Sequence, residues 1–361
     1  MKREFYQELA LKSMRGELLS NELCVQILTA TSGTELLPLL DATYQVRKKY
    51  FGNEVQLHMI NNAQNGHCPE DCHYCSQAKS SNAEIEKYTL KPDKEIIDEA
   101  ERAYEAGAFR YCMVFAGRGP SKKRVEHLAK LIKDIKALFP IQVCVSTGFI
   151  NKEDAQVLKE AGLDRLNHNI NTSETNYPNI CTTHTYADRI NTLQVAKQVG
   201  IELCSGIIVG MGEKTEDIIE MAKTLRKLGV SSIPINYLIP FEGNVLSQTP
   251  KLNPEYCLRI LSLYRLVNPE ADIRVAAGRE LHLRSMEVMA LYPANSLFID
   301  GYLNSKGGTR NRVIHMITDA GFIVKTDKDA RDLLIPEDNQ LLIIDNHENT
   351  IKDINDLRPK L

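Results

Sequence analysis

No charge of one sign dominates this sequence. Its 361 residues carry 44 basic and 47 acidic side chains, a formal net charge of -3. There is no broad cationic surface of the kind that phosphate backbones select, so nucleic acid is not expected as a partner. A long hydrophobic run is missing at the start as well: MKREFYQELALKSMRGELLS is charged throughout. Neither a secretory leader nor a membrane span is expected there, and a cytoplasmic protein is. No internal repeat of about 20–50 residues and no low-complexity tract is found. Gly206, Gly210 and Gly212 in CSGIIVGMGE lack both a GKS/T ending and the GxGxxG spacing, so a nucleoside triphosphate is not implied.

Apolar material, by contrast, is ample. With 43% hydrophobic residues, a chain of this length buries a large core, in one big α/β domain or two ordinary ones. Between residues 54 and 320, short β-branched or apolar runs alternate with amphipathic stretches, each pair closed by Gly, Pro or Asn. Strands are expected at 55–60, 110–116, 142–147, 165–171, 202–209, 232–238, 272–277 and 296–300. Helices are expected at 94–106, 124–138, 154–161, 186–199, 216–228, 254–267, 283–291 and 310–320. Such alternation, over roughly 270 residues, predicts a closed (β/α)8 TIM-type barrel, in which reactive groups collect at the C-terminal ends of the strands. A doubly wound open sheet is the alternative fold. Residues 1–52 read as an N-terminal helical extension, 53–321 as the barrel and 322–361 as a partly ordered tail with one further candidate strand at 341–344. Within the extension, Leu36, Leu37, Leu39, Leu40 and Tyr44 form an apolar stripe suited to capping the barrel's bottom.

Nine cysteines in a chain read as cytoplasmic should stay reduced or bind metal. The strongest local signal is Cys68-Pro-Glu-Asp-Cys72-His-Tyr-Cys75, a CxxxCxxC cluster directly after the first expected strand. Three thiolates in one loop can turn toward one centre, and thiolate is the ligand that iron–sulfur clusters and zinc prefer. Three cysteines leave one iron of a [4Fe–4S] cube open to a small molecule. The competing reading is a closed Cys3His zinc site completed by His67 or His73.

Cys112, Cys144 and Cys204 fall in the second, third and fifth expected strands. Each alone reads as a small buried hydrophobe, but alternate positions of a barrel strand face inward, so together they can converge on the axis. Arg274, in the seventh strand, projects into the same region and as a buried arginine needs a carboxylate partner. The fourth strand offers Asn167, Asn169 and Asn171 on one face by period-two alternation. Inward-facing, three amides predict a polar ligand; one residue of register slip would turn them outward. His58, His127, His184 and His282 have no metal-ligand spacing, and Cys24, Cys181 and Cys257 fall outside any motif.

The CxxxCxΦC spacing, Φ being Tyr74, resembles the signature of the radical S-adenosylmethionine superfamily. The words NAQNGHCPEDCHYCSQ, RLNHNINTS, ELCSGIIVGMGE, SIPINYL and IRVAAGRE are similar to those of the biotin synthases over about residues 54 to 305. The resemblance implies a sulfurtransferase that converts dethiobiotin to biotin by radical hydrogen abstraction, with an auxiliary cluster as sulfur donor and no side chain as the abstracting group. It implies Cys68, Cys72 and Cys75 as ligands of a [4Fe–4S] cluster, and Cys112, Cys144, Cys204 and Arg274 as ligands of a [2Fe–2S] cluster. Tyr74, Asn169, Asn171, Arg189 and Ile208 would contact S-adenosylmethionine. Asn169 and Asn236 would contact dethiobiotin. Many members carry Asp where Asn171 stands; an amide still bonds a ribose hydroxyl but lacks the charge. A flavodoxin or ferredoxin as electron donor and a homodimer are further family expectations.

Overall fold

Short β-branched runs followed by amphipathic stretches fold here as strand and helix in regular alternation. The computed structural model describes residues 3–29, 35–248 and 251–335. Helices α1 (Arg3–Met14), α2 (Asn21–Thr29) and α3 (Leu36–Phe51) precede β1 (Glu54–Gln64), α4 (Asp93–Glu105), β2 (Arg110–Phe115), α5 (Lys122–Leu138), β3 (Gln142–Ser146), α6 (Lys152–Glu160) and β4 (Arg165–Asn167). Then follow α7 (Tyr177–Ile180), α8 (Tyr186–Gln198), β5 (Glu202–Cys204), β6 (Ile207–Val209), α9 (Thr215–Leu228), β7 (Ser232–Tyr237) and α10 (Pro254–Val267). The series ends with β8 (Asp272–Val275), α11 (Arg279–Leu283), a 3-10 turn over Arg284–Leu291, β9 (Ser296–Phe298), α12 (Arg310–Asp319) and β10 (Ile323–Val324).

All pairings between these strands are parallel, and β9 returns to β1, so the sheet closes. Both β5 and β6 pair with β7 and act as two halves of one stave. Eight staves result, and the fold is the (β/α)8 barrel rather than the open sheet. Gly206 sits in the break between the halves. A Cβ there would lie 1.9 Å from the Pro234 carbonyl oxygen, so only glycine lets the two backbones approach this closely.

Local signals set the helix starts. Asn151 and Asp154 form a reciprocal capping box at α6, Thr185 and Asp188 another at α8, and Asn253 caps α10 ahead of Pro254. The helices bury an apolar stripe against the staves, as with Ile96, Ala100 and Ala103 of α4. In α10 every residue from Cys257 to Val267 is buried, because α1, α2 and α3 cover its outer side. Arg47 of α3 donates to the carbonyls of Ala294 and Glu54 at the N-terminal ends of β9 and β1, tying the extension to the barrel's bottom rim.

Some expectations need correction. Leu37 is 62% exposed while Leu36, Leu39 and Leu40 are buried, because only three of the four leucines fall on the covered arc of α3. The helix expected at 283–291 is a 3-10 helix over Arg284–Leu291 instead of an α-helix, set off from the short α11 by a positive φ of 52° at Arg284. Regular pairing of the fourth strand stops at Asn167 instead of running to Asn171. The candidate strand at 341–344 lies outside the described residues. Among those residues, no helix is long and apolar enough to cross a membrane.

Arg265, fully buried in α10, donates to the carbonyls of Pro293, Pro269 and Ala271 and to Asn295 Oδ1. Arg265→Met leaves these acceptors dry, at about 1–3 kcal/mol for each one that stays unpaired. We expect a loss of at least about 3 kcal/mol, seen as a lower urea midpoint at unchanged slope.

A candidate active site inside the barrel

The loop after β1 leaves the C-terminal end of its strand at the barrel mouth, the rim where βα loops assemble active sites. It is folded tightly on itself: Gly66 N donates to Gln77 Oε1 at 3.0 Å, Cys75 N to the Cys72 carbonyl at 3.0 Å and Lys79 N to the Glu70 carbonyl at 2.9 Å. A second segment, residues 181–184, clamps it from outside. Thr182 N and Thr183 N donate to Asp71 Oδ1 at 2.9 and 3.2 Å. Buried Glu70 accepts from Arg118 Nη1 at 3.0 Å and Thr183 Oγ1 at 2.6 Å, and it pairs with His184 Nδ1 at 2.5 Å. Burial pushes the Asp71 carboxyl up, but the hydrogen bonds from Thr182, Cys181 and Thr183 more than offset this and hold it well below the usual carboxylate range.

Below the mouth, strand alternation delivers side chains in tiers. Cys112 of β2 stands opposite Cys144 of β3, Asn167 of β4 opposite Cys204 of β5, and Pro234 of β7 opposite Arg274 of β8. Cys112, Cys144 and Cys204 share one buried cluster with Ala276 and Phe298. Arg274 Nη1 lies 3.9 Å from Cys204 Sγ, and Nη2 reaches Ser232 Oγ at 2.8 Å and Asp272 Oδ2 at 3.2 Å. The carboxylate partner that a buried arginine needs is therefore Asp272. Burial pushes that carboxyl up; the guanidinium groups of Arg274, Arg165 and Arg110 outweigh it and keep it ionised. His58 lies alongside, where burial and the same positive charges hold its imidazole neutral.

Between thiols and mouth runs a belt of amides. Asn169 Oδ1 accepts from Gly206 N at 2.9 Å, and Asn171, with a left-handed φ of 66°, donates to Tyr74 Oη at 2.6 Å. Asn236 donates to the Ile207 carbonyl and accepts from Ala277 N. Arg189 is no free surface arginine. It donates to Tyr177 Oη, to the Asn169 carbonyl at 3.0 Å and to His184 Nε2 at 3.0 Å. Ile208 and Tyr74 both pack against the buried group of Ile180, Met211 and Leu238.

One cavity of about 380 Å³ is lined by all thirteen expected site residues: Cys68, Cys72, Cys75, Cys112, Cys144, Cys204, Arg274, Tyr74, Asn169, Asn171, Arg189, Ile208 and Asn236. Two tests bear on what its thiols can hold. A tetrahedral zinc at about 2.3 Å from each sulfur draws its ligands within about 4 Å of one another. Among the described residues, the only such group of three within 4.8 Å is Cys72, Cys181 and His184; the three loop thiols are spread wider, and neither His67 nor His73 joins them. His184 has both ring nitrogens engaged, by Glu70 and Arg189, so this trio is not an open metal site either. Inside the barrel, Arg274 Nε and Arg110 Nε and Nη1 are buried without a hydrogen-bond partner. Three soft thiols among orphaned cationic donors suit an anionic iron–sulfide group.

Sequence reasoning missed Cys181, His184, Asp272 and His58. Cys181 lies 3.8 Å from Cys72, 109 residues away in the chain, and only the fold brings them together. Asp272 carried a usable signal, since a carboxylate two residues before an inward arginine shares its face.

Two family models match the chain, the Radical SAM superfamily over residues 65–225 and the Biotin and Thiamin Synthesis associated domain over residues 234–323. A biotin synthase of Magnetococcus marinus is 52% identical over 317 residues, 88% of this chain and 98% of its own. Another, from Acaryochloris marina, is 55% identical over 290 residues, 80% and 84% of the two chains. Of solved structures, methylornithine synthase has a TM-score of 0.76 at 21% identity, covering 90% of this chain and 100% of its own. The FeFe-hydrogenase maturase HydG from Carboxydothermus hydrogenoformans has a TM-score of 0.75 at 19% identity, covering 91% and 81%. Both share the fold described above.

Proposed function

Given that the chain belongs to the biotin synthase family of radical S-adenosylmethionine enzymes, we propose that Cys68, Cys72 and Cys75 hold its [4Fe–4S] cluster and that Cys112, Cys144, Cys204 and Arg274 hold its [2Fe–2S] cluster. The enzyme is a sulfurtransferase that converts dethiobiotin to biotin. When bound, the two clusters and S-adenosylmethionine supply hydrogen abstraction from unactivated carbon and the sulfur atom, chemistry beyond any protein side chain. The chain's own residues bind, orient and exclude water.

What supports this division is a single cavity with one set of thiols at its mouth, another at depth and an amide belt between. In this reading Tyr74 and Ile208 flank the adenine of S-adenosylmethionine, Asn171 bonds its ribose and Arg189 its carboxylate. The amide of Asn236, able to donate and accept, faces the ureido ring of dethiobiotin, and Asn169 touches both molecules. Phe149, Phe298 and Tyr302 wall the cavity and keep water from the reacting carbons. Residues 1–52 form the helical extension, 53–321 the catalytic barrel and 322–361 the tail. We assign electron supply to a flavodoxin or ferredoxin, the active form to a homodimer and the location to the cytoplasm.

An anaerobic single-turnover assay with dethiobiotin, S-adenosylmethionine and a strong reductant tests the reading. Biotin with about two molecules of 5′-deoxyadenosine per product is expected, one for each hydrogen abstracted; nucleoside without biotin would sink the substrate assignment. Arg189→Met should raise the KM for S-adenosylmethionine about 10–100-fold, since a hydrogen bond to a charged group contributes about 1.5–3 kcal/mol. An unchanged KM would remove Arg189 from the binding set.

A further inference from the structure

Beneath the cavity, of whose lining Arg274 is part, the barrel interior carries more positive charge than its buried carboxylate neutralises. Arg110, Arg165 and Arg274 are all buried, and one buried carboxylate faces them. Asp272 Oδ2 lies 3.2 Å from Arg274 Nη2, 3.4 Å from Arg165 Nη1 and 3.9 Å from Arg110 Nη1. Glu202 also pairs with Arg165, at 2.6 Å, but its side chain is 57% exposed and solvent screens it. Ser232 Oγ donates to Asp272 Oδ2 at 2.9 Å, and Ser296 Oγ donates to Oδ1. This one carboxylate therefore joins its own strand β8 to β2, β4, β7 and β9.

Its place two residues before Arg274 puts both side chains on the inner face of β8. Asp272 and Ser232 take up Arg274 Nη2, which turns Nη1 toward Cys204 and leaves Nε with no hydrogen-bond partner. A buried donor left unmade is costly.

We propose that Asp272 is a positioning residue for the lower donor set: it aims Arg274 at Cys204 and fixes how much positive charge lies beneath the three thiols. The inference rests on the reading that Cys112, Cys144, Cys204 and Arg274 hold the lower cluster. Asp272 acts through Arg274, and Asp272→Asn isolates that action, because asparagine keeps the shape but loses the charge and one acceptor oxygen.

Wild type, Asp272→Asn and Arg274→Met are loaded anaerobically with iron and sulfide. Iron and sulfide content, visible absorption, the electron paramagnetic resonance of the lower centre after reduction, and iron release to a chelator are then measured. Asp272→Asn is expected to assemble the upper centre as wild type does, to show a lower-centre spectrum displaced from that of wild type, and to release lower-centre iron about tenfold faster, as for loss of an outer partner at a metal site. A spectrum and release rate equal to wild type would overturn the proposal. Should wild type assemble no lower centre at all, the cluster assignment fails and the proposal with it; the two failures are distinct. Asp272→Asn combined with Arg165→Gln removes one charge of each sign. Because the net charge beneath the thiols is then that of wild type, a displaced spectrum and faster iron release in this double variant report the aim of Arg274 alone, and wild-type values overturn the proposal should the single variant fail to accumulate.

Discussion

Cys72→Ala is expected to make neither 5′-deoxyadenosine nor biotin at a detectable level, with Cys68→Ala and Cys75→Ala behaving alike. Each of these thiols belongs to one short loop held rigidly by the bonds of Asp71 and Glu70 to residues 182–184, so the loop has little freedom to offer another donor in place of a lost one. The upper centre should be missing from the visible spectrum of all three variants while the lower one still assembles, since its ligands come from separate strands. Cys72→Ala is the sharpest of the three, because Cys181 lies 3.8 Å from Cys72. Nucleoside produced by Cys72→Ala but not by Cys75→Ala would mean that Cys181 replaces the lost ligand; nucleoside at the wild-type rate from all three would end the assignment of the loop.

Cys144→Ala should separate the two halves of the chemistry. Cys144 is 2% exposed; it stands in register with Cys112 on the neighbouring strand and shares one buried cluster with Cys112 and Cys204. Its removal strips the lower donor set of its middle member and leaves the mouth intact. Cleavage of S-adenosylmethionine should persist, and biotin should fall below detection in a single turnover. A biotin yield equal to wild type would show that sulfur comes from elsewhere.

Much of this was legible along the chain, for local reasons. Each βα unit carries its own periodicity and its own punctuation, so strands such as Gln142–Ser146 and helices such as Pro254–Val267 were found within a residue or two. CxxxCxxC is a spacing within eight residues and needs no fold to be seen. Period-two alternation also brought Cys112, Cys144, Cys204 and Arg274 to a common interior. The reading failed where geometry departs from the regular element: pairing stops at Asn167, and Asn171 reaches the cavity through a left-handed turn instead of by strand alternation. It also failed where partners are remote. His58 and Asp272 are adjacent only because the barrel closes, and no window of sequence contains both.

That closure has a meaning for the order of synthesis. β1 pairs with β9, and the early helices α1 to α3 cover an α10 that is made some two hundred residues after them. At about 5–20 residues per second, the start of the chain waits roughly 10–50 s on the ribosome before α10 exists. Throughout that interval α3 has α1 beside it but not α10, and the edge of β1 lacks its final strand. Until β9 and α10 emerge, the first half of the chain therefore carries an open sheet edge and an uncovered helix face, long before any cysteine of the completed barrel can be loaded.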